Sequence, residues 1–206
     1  MLEKRWFRAA VVFMATAVLL LLQDALRGGK PAGNHHAQSK EEHSLDAGTY
    51  FLEGEVVEVI DGDTLRLRSE PSGILVVRLA SIDAPEKTSG VERPGQPMAD
   101  ESRDFLASRV LGAQLQLLCY EQDRYERHVC DVPDPKSDPV QTVNRTMVQA
   151  GMAWANTEGG GKFMRDDELP GLQDQAREQG KGLWRQSGPV APWQWRYQCW
   201  RNGQCG

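Results

Sequence analysis

Two short segments at the start of the folded part set the terms for the fold. Residues 53–60 and 63–69 alternate apolar with polar side chains and are rich in Val, Leu and Ile. They meet at Ile60-Asp61-Gly62-Asp63, where Asp-Gly between alternating segments is a strong hairpin signal. Ser72-Gly73 marks a second turn, and Ile74–Leu79 reads as a third strand. A long loop follows from Ser81 to Pro97, with three prolines and two glycines. The spacing of Met98, Ser102, Phe105, Leu106 and Val110 predicts a helix over 98–111. Leu115–Tyr120 and Arg127–Val132 read as two more strands around a tight turn. Val143, Met147, Val148 and Met152 predict a second helix, and residues 164–179 a third that stops at Gly180 and Gly182. Five short strands with a helix between the third and fourth fit an α+β, mainly β fold. The expected architecture is a five-stranded Greek-key barrel of the OB type with about three packed helices.

The ends of the chain read differently from this middle. Lys4, Arg5 and Arg8 precede an unbroken run from Ala9 to Leu22, fourteen residues of which only Thr16 is polar. That length suits a signal peptide and is short for a full membrane span, yet no well-placed small-x-small cleavage site follows. Residues 1–30 are therefore read as a signal peptide or an N-terminal membrane anchor, with a buried core helix as the bland alternative. Positive charge ahead of the run sends the rest of the chain outward. The expected location is periplasmic, secreted or membrane-anchored, with membrane contact only through this segment. Residues 31–49 read as a flexible linker in which His35-His36 is a solvated pair, 50–188 as the barrel domain, and 189–206 as a Trp-rich tail.

The cysteines agree with export. All four, Cys119, Cys130, Cys199 and Cys205, lie in the C-terminal half, and an even count in an exported chain reads as two disulfides. A four-Cys zinc site is the alternative, but no C-x-x-C pair occurs. A turn centred between Arg124 and Tyr125 sets residue 119 opposite 130. Facing residues in an antiparallel pair have Cα atoms roughly 4.5–5.5 Å apart, which a disulfide can bridge. Cys199–Cys205 then closes the tail, which is expected to pack back on the barrel.

Charge narrows the function. The hydrophobic fraction of 40% and charged fraction of 26% exclude a chain disordered throughout. The net charge is −5, and beyond residue 30 nineteen basic residues face twenty-seven acidic ones. An acidic body argues against a tight, non-specific nucleic-acid binder. It does not argue against an enzyme that gathers a few arginines and carboxylates in one cleft.

Three segments carry such residues. The first is Val-Ile-Asp-Gly-Asp-Thr, with Asp61, Asp63 and Thr64; the second runs from Arg78 through Asp83, Ala84 and Glu86; the third is Asp123-Arg-Tyr-Glu-Arg127. Asp63 and Asp83 are hard oxygen donors suited to calcium or magnesium rather than zinc. Glu86 stands three residues after Asp83, aimed by Pro85, where a base for water is needed. Arg78 and Arg127 offer planar forks for phosphate oxygens. Taken singly, each has a structural reading: Asp-Gly-Asp-Thr is a common hairpin turn and Arg78 could lie on a solvated face.

As an ordered set these segments resemble the staphylococcal nuclease-like (thermonuclease-like) family, which carries D-G-D-T, then R-L-x-x-x-D-[TA]-P-E, then D-x-Y-G-R. Gly90-Val-Glu-Arg, Gly95-Gln-Pro, Val143-Asn144, Gly151-Met-Ala, Gly182-Leu-Trp184 and Pro192-Trp-Gln-Trp-Arg196 extend the likeness over roughly residues 51–196. The resemblance implies a nuclease of the exported bacterial type that acts on DNA and RNA with one calcium ion; a monomer is the separate expectation. Asp63, Asp83 and the Ala84 carbonyl would hold the ion; Glu86 would be the general base; Arg78 and Arg127 would stabilise the transition state; Asp123 and Tyr125 would meet substrate. Water would attack and the 5′ oxygen depart, leaving 3′-phosphates. Two departures stand out. Glu126 replaces the family Gly, and the segment after Gly151 lacks the tyrosines that well-known members place near the nucleotide, leaving Thr157 and Gly159 there. Trp154 and Phe163 are the aromatic substitutes, with a core role the better reading for Trp154. The rival to a nuclease is a non-catalytic OB module that binds nucleic acid or an envelope partner.

Overall fold

A computed structural model describes residues 48–137 and 139–205. The apolar run Ala9–Leu22, most of the linker and His35-His36 lie outside the described residues. Seven strands are present among the described residues: β1 (Tyr50–Asp61), β2 (Thr64–Ser69), β3 (Gly73–Leu79), β4 (Ile82–Asp83), β5 (Gln114–Gln122), β6 (His128–Asp131) and β7 (Trp154–Ala155). Three α-helices longer than one turn accompany them among the described residues: α1 (Ala99–Val110), α2 (Val143–Gln149) and α3 (Leu169–Glu178).

Five strands close a barrel in the order β1-β2-β3-β6-β5. Closure works because β1 is long enough to serve two neighbours. Its first half pairs with β5 from Tyr50 to Glu55, and its second half turns away to pair with β2, with register shifts at Val56/Glu58 and Val59/Asp61. Such bulges bend a strand sharply, which a small barrel requires. The ring is completed by a parallel seam, β3 against β6, with Arg78 level with Val129. The helix between β3 and β5 arises as the OB reading requires, so the α+β barrel architecture is confirmed.

Alternation fills the interior. Val56, Leu65, Leu67, Val77, Leu79 and Leu117 are fully or almost fully buried, and α1 closes one end with Leu106 and Val110. Removing these apolar side chains from water drives the fold at roughly 25 cal/mol per Å² buried. The disulfide Cys119–Cys130 lies in the same core, its Cα atoms 4.0 Å apart. The two cysteines face each other as expected, but by another route. The turn centres on Tyr125, since Gln122 pairs with His128 and Glu121 with Val129, and a bulge at Tyr120 then restores the Cys119–Cys130 register.

Buried polar groups lock the helices to the barrel. The Asn144 side chain accepts from the Val132 amide (3.1 Å) and donates to the Ala80 carbonyl (2.9 Å), fixing the start of α2 against the ends of β3 and β6. Asp134, with no exposed surface, receives the guanidinium of Arg109 from α1 at 2.8–3.1 Å and the Thr146 hydroxyl from α2 at 2.7 Å.

Two expectations are corrected. The helix expected over 164–179 spans only Leu169–Glu178, because Pro170 in its first turn has no amide to extend the helix upstream and the Asp166 side chain instead accepts the Glu168 amide. The loop after β3 contains β4, which pairs with β7 through Asp83↔Trp154. The tail packs back on the barrel domain as expected, but on the loop after β4: its indole N–H groups, from Trp195 and Trp200, both donate to the Pro94 carbonyl, at 3.0 and 2.9 Å. It is closed by Cys199–Cys205, as expected.

Asp134 sets a testable cost. Burial alone would raise its pKa, but the bonds from Arg109 and Thr146 and the Lys136 amide prevail and hold the carboxyl below its usual range. A lowered folded-state pKa contributes stability above the unfolded value and loses it as pH falls through the folded value. Asp134→Ala should therefore lose about 3 kcal/mol in urea unfolding at pH 7, because it leaves a partly buried Arg109 unpaired. The deficit relative to wild type should shrink below about pH 4. A deficit that is unchanged down to pH 2 contradicts this assignment.

Candidate active site

The site grows from one tight turn. Between β1 and β2, Gly62 lies against α1 and the loop after β4: a Cβ on it would stand 2.0 Å from the Ser102 hydroxyl and 2.7 Å from the Ala84 methyl. The glycine is needed here for space. Its absence of a side chain lets the turn touch the segment that carries Asp83 and Ala84.

The contact is made by Asp63. Its Oδ2 accepts from the Ala84 amide at 2.6 Å and from the Arg78 guanidinium at 2.7 Å, while Oδ1 accepts from the Thr64 hydroxyl at 3.1 Å. Arg78 also reaches Asp83 Oδ1 at 2.9 Å and the Ile82 carbonyl at 3.0 Å. Arg78 comes from the outward face of β3, between the core residues Val77 and Leu79, yet only 13% of its side chain is exposed. The solvated-face reading of Arg78 is thereby overturned: two carboxylates replace the water it has lost.

Glu86 follows on the same loop, fixed through its backbone. Its amide donates to Gln96 Oε1 at 3.0 Å and its carbonyl accepts from the Gln96 amide at 2.8 Å. Gln96 in turn donates to the Val190 carbonyl at 2.8 Å, so the loop and the tail share one clamp.

The tail brings a residue that the motifs did not nominate. Arg196 Nη2 meets Asp83 Oδ2 at 2.9 Å, its Nη1 meets Glu86 Oε1 at 2.5 Å, and Glu158 lies 3.9 Å away. Arg196 stands 113 residues from Asp83 in sequence, too far for spacing arguments. The only trace of it was its place in Pro192-Trp-Gln-Trp-Arg196.

Burial governs the ionisation of this cluster. Burial raises the Asp83 pKa against the opposing pull of Arg78 and Arg196. Glu86 is likewise raised by burial, opposed by its bond from Arg196. Asp61, which accepts from the Asp63 amide at 3.1 Å, is pushed up to about 7 by burial and then by the neighbouring Asp63 carboxylate. Carboxylates crowded in this way create a negative potential that favours a cation.

Arg127 stands apart from the carboxylates. It lies one residue ahead of β6, level with Val76 if the β3 register is extended, and hence on the same face as Arg78. Asp123 organises it: Oδ2 takes the Arg127 side chain at 2.7–2.8 Å, and Oδ1 accepts the amides of Tyr125 and Arg127 at 2.9 and 3.1 Å. Burial is outweighed by these bonds, and the Asp123 pKa is lowered. Tyr125 is largely exposed, with the Arg124 and Arg127 guanidiniums 4.8 and 5.5 Å from its ring centroid. Glu126 adopts φ +62°, the left-handed conformation that the family glycine implied.

The aromatic substitutes separate as the sequence reading held. Trp154 is buried against Leu183, Ala191 and Trp184. Phe163 is 42% exposed, with the Lys162 amine over its ring.

This chain can now be set beside known proteins. A model of the family "Staphylococcal nuclease homologue" matches residues 76–186. A protein of Escherichia coli O157:H7 named "Uncharacterized endonuclease" is 36% identical over 146 residues, covering 71% of this chain and 86% of its own length. One of Haemophilus influenzae with the same name is 35% identical over 143 residues, covering 69% and 72%. A "Micrococcal nuclease" of Shigella flexneri is 36% identical over 148 residues, covering 69% and 79%. With the closed five-stranded barrel and the ordered motifs along β1 to β6, these matches establish that the chain belongs to the staphylococcal nuclease family.

Proposed function

We propose that the protein is a calcium-dependent nuclease that hydrolyses phosphodiester bonds of DNA, RNA or both. The observation that carries the reading is the junction of Asp63, Asp83 and the Ala84 backbone beside Glu86, in a chain whose relatives bear endonuclease and micrococcal nuclease names. The donor set fits a hard cation: two carboxylates and a main-chain carbonyl, all oxygen. Among the described residues no three His, Cys, Asp or Glu side chains form a metal cluster. Asp63, Asp83 and Ala84 would therefore hold the ion only in part, leaving coordination for water and substrate phosphate and making its affinity modest.

Bound there, calcium supplies Lewis-acid neutralisation of phosphate charge. The chain supplies the rest. Glu86, its backbone clamped by Gln96, accepts a proton from the attacking water. Arg78 and Arg127 donate to the equatorial oxygens as negative charge builds on them. Asp123 acts through Arg127, holding the guanidinium in one orientation, and Tyr125 offers an exposed ring beside it. The 5′ oxygen leaves and a 3′-phosphate remains. The apolar run at the N-terminus and the two disulfides support a domain working outside the cytoplasm.

Two outcomes test this. Glu86→Gln should keep its melting temperature and lower kcat/KM on denatured DNA by about 10²–10⁴-fold; cleavage at the wild-type rate would show that another group takes the proton. Glu126→Gly removes a left-handed strain worth roughly 1–2 kcal/mol, partly offset by the greater freedom of glycine in the unfolded chain. It should raise stability by about 1 kcal/mol or less, and kcat/KM by about tenfold or less, since a carboxylate leaves the neighbourhood of Arg127. A loss of both stability and activity would mean that the hairpin depends on Glu126.

A further inference from the structure

Arg196 comes to the cluster from the C-terminal tail, outside the barrel and its loops. It opens the turn Arg196–Arg201, which is closed by Cys199–Cys205 and anchored by the indoles of Trp195 and Trp200 on the Pro94 carbonyl. Pro94 belongs to the loop that also carries Glu86, and Arg93 of that loop stands 5.7 Å over the Trp200 ring. So much anchoring fixes the base of Arg196 while leaving 34% of its side chain exposed.

The guanidinium bridges two carboxylates with different tasks. It occupies Asp83 Oδ2 at 2.9 Å and approaches Oδ1 at 3.3 Å, where Arg78 is already bound at 2.9 Å. Both Asp83 oxygens are thus engaged by arginine. A cation held by Asp83 would compete with Arg196 rather than with Arg78, which is the more deeply buried of the two partners. The charges around the guanidinium point the same way: Arg196 meets Asp83 and Glu86, with Glu158 at 3.9 Å, and a divalent ion at Asp83 would compete with it for the same carboxylate.

We propose that Arg196 is a third phosphate-binding arginine of the site: it neutralises Asp83 and Glu86 in the empty cleft and donates to a non-bridging phosphate oxygen once Asp83 is engaged by the cation. The inference rests on the cation site proposed above. Its signature is a pair of effects of opposite sign, because Arg196 competes with the cation and cooperates with the phosphate.

The test uses the full chain, with Arg196→Gln and Arg196→Lys beside wild type, and melting temperatures to confirm folding. Calcium affinity is measured by titration calorimetry. Binding of a deoxynucleoside 3′-monophosphate, which has no diester bond to lose, is measured at saturating calcium. Arg196→Gln should bind calcium about threefold to tenfold more tightly and the mononucleotide about tenfold more weakly, a change of the size expected for one charge-assisted hydrogen bond. Arg196→Lys, keeping the charge without the fork, should fall between. Unchanged affinities, or both falling together, would leave Arg196 a structural residue and overturn the proposal. Absence of calcium binding in wild type and variants alike would instead remove the cation site, and this inference with it.

Discussion

The bond from the Ala84 amide to the Asp63 carboxylate, 2.6 Å long, joins the first hairpin to the loop beyond the third strand. Most of the site depends on that junction. It is made inside the protein, where a hydrogen bond to a carboxylate is strong and an unpaired partner costly. It forms only because Gly62 leaves room for Ser102 and Ala84. From it Asp63 gains a fixed direction, Arg78 finds two carboxylates at one end of β3, and Asp83 is presented beside them by its two-residue pairing with Trp154. Glu86 is then placed by chain connectivity and by the two backbone bonds to Gln96.

Electrostatics explains why an acidic protein can act on an acidic polymer. The body of the chain repels phosphate only at long range, and salt screens exposed charges beyond about 8–10 Å. Within the cleft the relevant charges are few, close and partly desolvated, so their local balance decides what binds. Arg78 is buried between carboxylates, Arg127 is held by Asp123, and Arg196 is delivered by a tail bolted to the same loop as Glu86. The barrel is a rigid mount for these groups, and its disulfide lies in the core behind the face that carries them.

Much of this was legible in the sequence because local chemistry wrote it there. Asp-Gly between alternating segments marked the β1–β2 hairpin, and Asp63, Arg78, Asp83, Ala84 and Glu86 fell together because short turns separate them from paired strands. The facing of Cys119 and Cys130 followed from strand counting, although the bulge at Tyr120 was invisible to it. Glu126 stood out through the glycine it replaces, and it takes a positive φ. Ser81 and Met98, at φ +65° and +67°, gave no such sign, since tertiary contacts impose their conformations. Ser81, for example, is held by the amides of Asn156 and Arg165. Arg196 was the larger omission. Nothing in periodicity links a C-terminal arginine to Asp83 and Glu86; that link exists only once the Trp195 and Trp200 indoles have found Pro94.

The central claim is that a hard cation held at Asp63 and Asp83 enables this chain to cleave nucleic acid. It is tested most directly by following the degradation of denatured DNA by the purified protein in calcium, after chelation, and after calcium is restored, with Asp83→Asn in parallel. The account predicts cleavage that stops with the chelator, returns with calcium, and is lost from Asp83→Asn at matched calcium. Cleavage that persists in excess chelator, or an Asp83→Asn protein as active as wild type, would contradict it.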